Sequence, residues 1–299
     1  MKKATLAGLL VLTLAGCSTP VAGTASPVPN LALVEIAAAQ QVTATARQAV
    51  EAVFSYDSTK PETQTAAVGK YLTGAASEEM KELFVAVWEA AKTTPMNVET
   101  KATDVGVATL SADHATLLAF VTQHSTKTAT GQVTTGLAQL RLDAIREGGS
   151  WRISAMKTNP IDQPGPAVVS GLGTVRDTAV AAARSLVADL LYADSADTEG
   201  MYARWVAASA DPLLSQYRTD RDRLLEPFKA GEVKAKVEPE PVCVATSVDA
   251  TKAEMLVAAS VTTSQAAAPA TTRPLSLRLS LVRVGEAWKV SALAPVTAT

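Results

Sequence analysis

Aromatic residues are scarce in this chain: Phe, Trp and Tyr together make up 4% of its 299 residues. With hydrophobic residues at 47%, real cores can form, but they must be aliphatic and fairly thin. Histidine occurs twice and cysteine twice. His114 and His124 stand in no Cys/His spacing that would build a metal site, and they read as surface loop residues. Cys17 and Cys243 do not amount to a disulfide framework. Cys243, in PVCVAT, reads as a small buried hydrophobe. No run of Lys or Arg stands out and the net charge is −2, which argues against nucleic acid as a partner. A Gly-rich phosphate loop, a Ser elbow and a paired-carboxylate motif are all missing. The sequence therefore predicts no enzyme activity, no cofactor and no metal.

What is present starts at the N-terminus. MKKATLAGLLVLTLAGCSTP opens with Lys2 and Lys3, runs apolar from Ala4 to Gly16 and reaches Cys17. The run is shorter than the roughly 20 residues that span a bilayer and has the form of an export signal. Leu14-Ala15-Gly16-Cys17 resembles the bacterial lipobox. That resemblance implies removal of residues 1–16 and acylation of Cys17. The exported chain would then be held by its lipid on the outer face of the cell membrane. Residues 17–39, rich in Ser, Thr, Pro, Gly and Ala, read as a flexible tether.

The rest of the chain is a tandem duplication. Leu140 to Met156 reads LRLDAIREGGSWRISAM, and Leu277 to Leu293 reads LRLSLVRVGEAWKVSAL. One offset relates Trp151 to Trp288, Arg141 to Arg278, Arg47 to Arg184 and Asp57-Ser58 to Asp194-Ser195. It also relates Val107-Ala108-Thr109 to Val244-Ala245-Thr246, with a small slip near Ala115 and Ala253. Domains are expected over 40–160 and 174–297. The Pro- and Gly-rich residues 161–173 would link them.

Each copy reads as helices followed by an antiparallel meander. Ala46, Ala49, Val50, Val53 and Phe54 share one helical face, as do Ala179, Ala183, Leu186, Val187 and Leu190. These helices should end near Tyr56-Asp57 and Ala193-Asp194. Ser77 to Ala91 and Asp211 to Phe228 read as further helices. Strands are expected over Val98–Leu110, Ala115–His124, Gly136–Ile145 and Trp151–Lys157. In the second copy they are expected over Val233–Ser247, Ala253–Thr263, Pro274–Val284 and Trp288–Leu293. The fold class is α+β, with helices packed on one face of a bent four-stranded sheet in each of two cone-shaped domains.

The recurring Arg47/Arg184, Asp57/Asp194 and Arg141/Arg278 read as structural, the aspartates as turn caps. The arginines at 141 and 278 should face away from the helices. Trp151 and Trp288 are the largest anchors of alanine-rich domains. They read as core packing, or as residues lining the mouth of an apolar pocket between helices and sheet. The outer sheet faces are expected to pair with each other.

Tyr71-Leu72-Thr73-Gly74, Ala115 to Gln123 and Gly149 to Ser154, with Met255-Leu256-Val257 and Glu286 to Ser291, resemble the Mce-associated proteins of mycobacteria and relatives. More broadly they resemble nuclear-transport-factor-like cones. The resemblance implies an accessory part in an envelope complex that imports lipids. A carrier holding an apolar small molecule or lipid in a cone is the alternative.

Overall fold

A computed structural model describes residues 36–158, 174–229, 232–265 and 268–296. The expected signal segment, Cys17 and the linker 161–173 lie outside the described residues.

The first domain runs α1 (Ile36–Phe54), β1 (Tyr56–Asp57), α2 (Pro61–Tyr71), α3 (Gly74–Ala91), β2 (Met96–Leu110), β3 (His114–Lys127), β4 (Val133–Glu147) and β5 (Ser150–Thr158). Its sheet has the order β1-β2-β3-β4-β5, and every pair is antiparallel. The second domain runs α4 (Thr174–Leu190), β6 (Ala193–Asp194), a 3-10 turn (Ser195–Asp197), α5 (Thr198–Ala208), α6 (Leu213–Thr219) and α7 (Arg221–Lys229). It continues with β7 (Val233–Val237), β8 (Val242–Val248), β9 (Lys252–Gln265), β10 (Ala268–Val284) and β11 (Ala287–Pro295). Its sheet has the order β11-β10-β9-β7-β6, with β8 also paired to β9.

The helical stripes drive the packing. In α1, Val42, Ala46, Ala49, Val50 and Val53 are buried; in α3, Met80, Phe84 and Val87 are. They meet Leu140, Leu142 and Ala144, which alternate along one face of β4. Val187 and Leu190 of α4 meet Leu277, Leu279 and Leu281 of β10 in the same way. Full burial of each such Val, Leu, Met or Phe side chain contributes about 1.5–3 kcal/mol, and of each alanine less. The hairpin turns close through Gly148, Gly149 and Gly285, all with positive φ, where a side chain would be strained.

The structure corrects several expectations. The first helix stops at Phe54, and Tyr56-Asp57 form a short strand on β2. Helices α2 and α5 were not foreseen. Their buried residues are few, Gln64 and Val68 in one, Met201, Trp205 and Ala208 in the other, so the apolar period is faint. The stretch Asp211 to Phe228 breaks into α6 and α7 at Asp220. Val233–Ser247 is two strands, because Pro239 and Pro241 have no N–H to donate. Register also moves the slip between the copies. Gly106 lies opposite Leu118 and Val244 opposite Leu256, so these strands are related by 138 residues rather than 137. Val107-Ala108-Thr109 therefore corresponds to Ala245-Thr246-Ser247. The extra residue falls in Glu238–Pro241, and the hairpin between β9 and β10 is shorter by one.

Candidate functional site: the recurring hairpin and the interdomain face

The duplicated hairpin is a joint between helix and sheet. Trp151 and Trp288 are buried in the two domain cores. The indole of Trp288 reaches Thr178 Oγ1 at 3.4 Å, whereas the Trp151 N–H has no partner among the described residues. Arg152 donates to the carbonyls of Gly69 and Leu72 at the C-terminus of α2, and Lys289 donates to Ala207 at the end of α5. Cations there also meet the negative end of the helix. Ile153 bridges Leu72 in parallel, as Val290 bridges Ser209. Ser154 donates to the Asp143 carbonyl and Ser291 to the Ser280 carbonyl, at 3.1 and 3.2 Å. Both sites are irregularities in the strand register, so the serines stitch the bends. The Leu72-Thr73 segment and the Trp hairpin thus lie together, and each recurring side chain has a structural task.

The aspartates likewise hold turns. Asp57 Oδ1 accepts from Thr59 N–H and Oγ1, and Asp194 Oδ1 from Ala196 N–H. These bonds, for Asp57 chiefly the Thr59 hydroxyl and for Asp194 the Ala196 amide, hold both carboxyls below the usual carboxylate range. Ser58 and Ser195 anchor the starts of β2 and β7 through Met96 and Val233 N–H.

Aromatic side chains that the sequence reading passed over cluster between helices and sheet. Phe84 and Trp88 stack on each other, both with their edges to Tyr56. In the second domain Trp205 packs with Tyr217 and Phe228. Phe84, Trp205 and Phe228 fall within or against the two cores, so large side chains of each domain pack into its own core.

The outer faces of the sheets meet each other. Leu118 and Phe120 of β3 pack with Val244, Leu256, Ala258 and Val296 of the second domain. Leu118 and Leu256 are equivalent residues, as are Phe120 and Ala258. Gln139 Nε2 donates to Ser276 Oγ at 2.9 Å, and these two are separated by the 137-residue offset itself. Equivalent residues touch only near a twofold axis, so the two domains form a pseudo-dimer. Gly106 lets the sheets approach closely there: a Cβ on it would lie 3.0 Å from Val244 Cγ1 and 3.2 Å from Thr246 Cγ2, so those side chains would have to shift by a few tenths of an ångström. Arg278 forks onto Asp104 across the interface, at 3.1 and 2.7 Å. Arg176, 4% exposed, leaves the first turn of α4 and donates to the Val107 and Ala108 carbonyls of β2. Asp177 stands 3.5 Å from it. Arg176 has Ala39 at its place in the first copy and carried no sequence signal.

A cleft of about 630 Å³ opens between α1, β2 and the last strand, lined in part by Arg47, Glu51, Lys101, Arg278 and Val296. Its charges are committed: Arg47 donates to the Ala102 carbonyl, Glu51 accepts from Ala102 N–H, Lys101 lies by Glu99 and Arg278 by Asp104. Trp151 and Trp288 do not line it.

Of the other candidates, His114 is exposed beside Asp113 and His124 sits by Thr135. Cys243 is buried, and burial pushes its thiol up to about 12, which leaves it protonated and unreactive. Arg184 lies 4.0 Å from Glu240 and Arg141 3.6 Å from Asp143. Among the described residues no group of three His, Cys, Asp or Glu is placed to hold a metal ion, and no helix is long and apolar enough to cross a membrane.

No family model matches the sequence, and no curated protein matches it. Similar solved structures include an Ntf2-like protein involved in plasmid conjugation, 11% identical, covering 87% of this chain and 97% of that one, with a TM-score of 0.29. Another is CagV, a VirB8 homolog from Helicobacter pylori, 10% identical over 40% of this chain and 96% of that one, TM-score 0.35. A third is a ketosteroid isomerase-like protein from Erwinia carotovora atroseptica, 21% identical over 40% and 92%, TM-score 0.28.

Proposed function

We propose that this chain is a non-catalytic lipoprotein of the cell envelope, exported and held at the outer face of the membrane by lipid on Cys17. Its two nuclear-transport-factor-like cones serve as an interaction scaffold, accessory to an Mce-type lipid importer. The observation that carries the reading is the use made of every recurring residue. Trp151 and Trp288 pack in the cores, Arg152 and Lys289 join sheet to helix, and Ser154 and Ser291 tie neighbouring strands. The aspartates hold turns, and the arginines at 47 and 278 serve backbone or ion-pair partners. A duplication that keeps architecture in both copies favours a protein whose product is its shape. The filled cores favour scaffolding over carriage, since a carried ligand needs a cavity of some 300–1,000 Å³ with apolar walls.

The test is affinity purification of the full chain from membranes, with protein and lipid identification by mass spectrometry. Stoichiometric envelope proteins without bound lipid are expected. A stoichiometric apolar ligand and no protein would replace the scaffold with a carrier. Cys17→Ala should move the chain out of the membrane fraction; retention there would remove the lipid anchor from the reading.

A further inference from the structure

The two sheets differ at one edge. Over the described residues, which reach Thr158 at this point, strand β5 accompanies β4 from Leu140, opposite Thr158. Residues Val133–Gln139 therefore run on as an edge, paired to β3 alone among the described residues. An unpaired edge offers alternate N–H and C=O groups to another strand. The equivalent overhang on β10, before its pairing with β11 begins at Leu277, contains Arg273 and Pro274, with Pro269 just before it. Proline and charge at an edge block strand addition. The sequence Val-Thr-Thr-Gly-Leu-Ala-Gln of the first domain has neither.

Its side chains also differ from those of its counterpart. Val133 and Leu137 are 58% and 52% exposed, two of the four exposed large apolar residues among the described residues. By the period of two they share the outer face with Gln139, whose amide meets Ser276 in the interdomain interface. The patch is therefore continuous with that interface. Beside Leu137, Thr122 is buried, and its hydroxyl has no partner among the described residues.

We propose that this edge of β4 pairs antiparallel with the same edge of a second copy of the chain. Centred on Thr135, the pairing sets Val133 opposite Leu137 of the second copy, Thr135 opposite Thr135, and Leu137 opposite Val133. Two aliphatic pairs then flank a threonine pair on one face, and such cross-strand pairs each add a few tenths to 1 kcal/mol. The segment has no charge, so self-pairing brings no like charges together. The twofold closes the assembly, because the blocked edge of the second domain cannot extend it into a filament. The interface is small beside the roughly 1,200 Å² of a stable complex, so dimerisation is concentration dependent. Under the lipid-anchor reading, confinement to a membrane raises the effective concentration.

Single cysteines test the register. With opposing Cα atoms about 4.5–5.5 Å apart, a disulfide can form. Thr135→Cys is made in a Cys17→Ala background, where buried Cys243 is the other thiol, and the purified full chain is oxidised at high concentration. A reducible dimer is expected. Thr272→Cys, the equivalent position on β10, should stay monomeric, and adding Leu137→Lys to Thr135→Cys should abolish the dimer without changing the melting temperature. A monomeric Thr135→Cys chain, or equal cross-linking by Thr272→Cys, would overturn the proposal. Repeating the oxidation on membranes with Cys17 intact separates this result from the anchor: loss of membrane binding leaves the purified dimer standing.

Discussion

Along the outer edge of β2 the first domain covers its backbone with side chains of α1 and of Ser55 just after it. Arg47 takes the Ala102 carbonyl, Glu51 the Ala102 N–H, and Ser55 both the N–H and the carbonyl of Thr100. The three residues are four apart and so share one helical face. The second domain has Arg184, Ala188 and Tyr192 at those positions, so two of the three caps are gone. Its strand is instead interrupted by Glu238-Pro239-Glu240-Pro241, where prolines remove donors that would need a partner. A similar exchange occurs between the next strands. Thr116 donates to Asp143 in the first domain, and Ser280 donates to Glu254 in the second, with donor and acceptor traded between strands. Between the copies, one backbone requirement has been met by side chains in the first domain and removed by proline in the second, and one side-chain pair has exchanged donor and acceptor.

The largest test of this equivalence lies where the copies agree. Trp151→Ala and Trp288→Ala should each destabilise the protein by about 3–5 kcal/mol, the usual cost of truncating a buried tryptophan. Substitution by Phe should split them. Trp288 has a hydrogen bond to lose, long though it is, whereas the Trp151 N–H has none among the described residues. Trp288→Phe should therefore cost more than Trp151→Phe by on the order of 1 kcal/mol. Urea midpoints of the four variants make the comparison, and equal costs for the two Phe variants would remove the asymmetry.

The edge of β2 supplies the next effect. Glu51→Ala leaves the Ala102 N–H without its acceptor and should cost about 1–2 kcal/mol. Ala188→Glu in the second domain should gain nothing, because the matching segment offers proline rather than a donor. A stabilising Ala188→Glu would mean that the second edge still has an unmet N–H and that the prolines are not the substitute argued here.

What was legible in the sequence followed the strength of each local signal. Two cones, their α+β class and the outward arginines came from a repeat with Trp151 and Trp288 at fixed places and from leucines alternating in Leu277, Leu279 and Leu281. Helices α2 and α5 escaped because PETQTAAVGKY and TEGMYARWVAA carry too thin an apolar stripe to mark a period. Strands β1 and β6 are two residues long, below anything alternation can show. The break at Pro239 and Pro241 could have been read, since proline inside a strand pattern argues against continuity. Arg176 could not: a cation in the first turn of a helix looks like a solvated residue, and only the approach of the first domain buries it.

The smallest effect concerns the ion pair between the domains. Arg278 meets Asp104, but the pseudo-symmetric partner of Arg141 would be Val242, which has no charge to offer, so Arg141 turns to Asp143 in its own strand. One of two equivalent ties is therefore made. The side chain of Arg278 is 55% exposed, and such pairs contribute about 0.2–1 kcal/mol, less as salt screens them. Arg278→Met should lower stability by no more than that, and the difference from the parent chain should shrink in high salt. The pairing itself should survive, because the apolar contact of Leu118 and Phe120 with Val244 and Leu256 and the buried Arg176 remain. Solution scattering should show one compact particle for both proteins. Two independently tumbling lobes in Arg278→Met would mean that the single ion pair, rather than the packed sheet faces, holds the domains together.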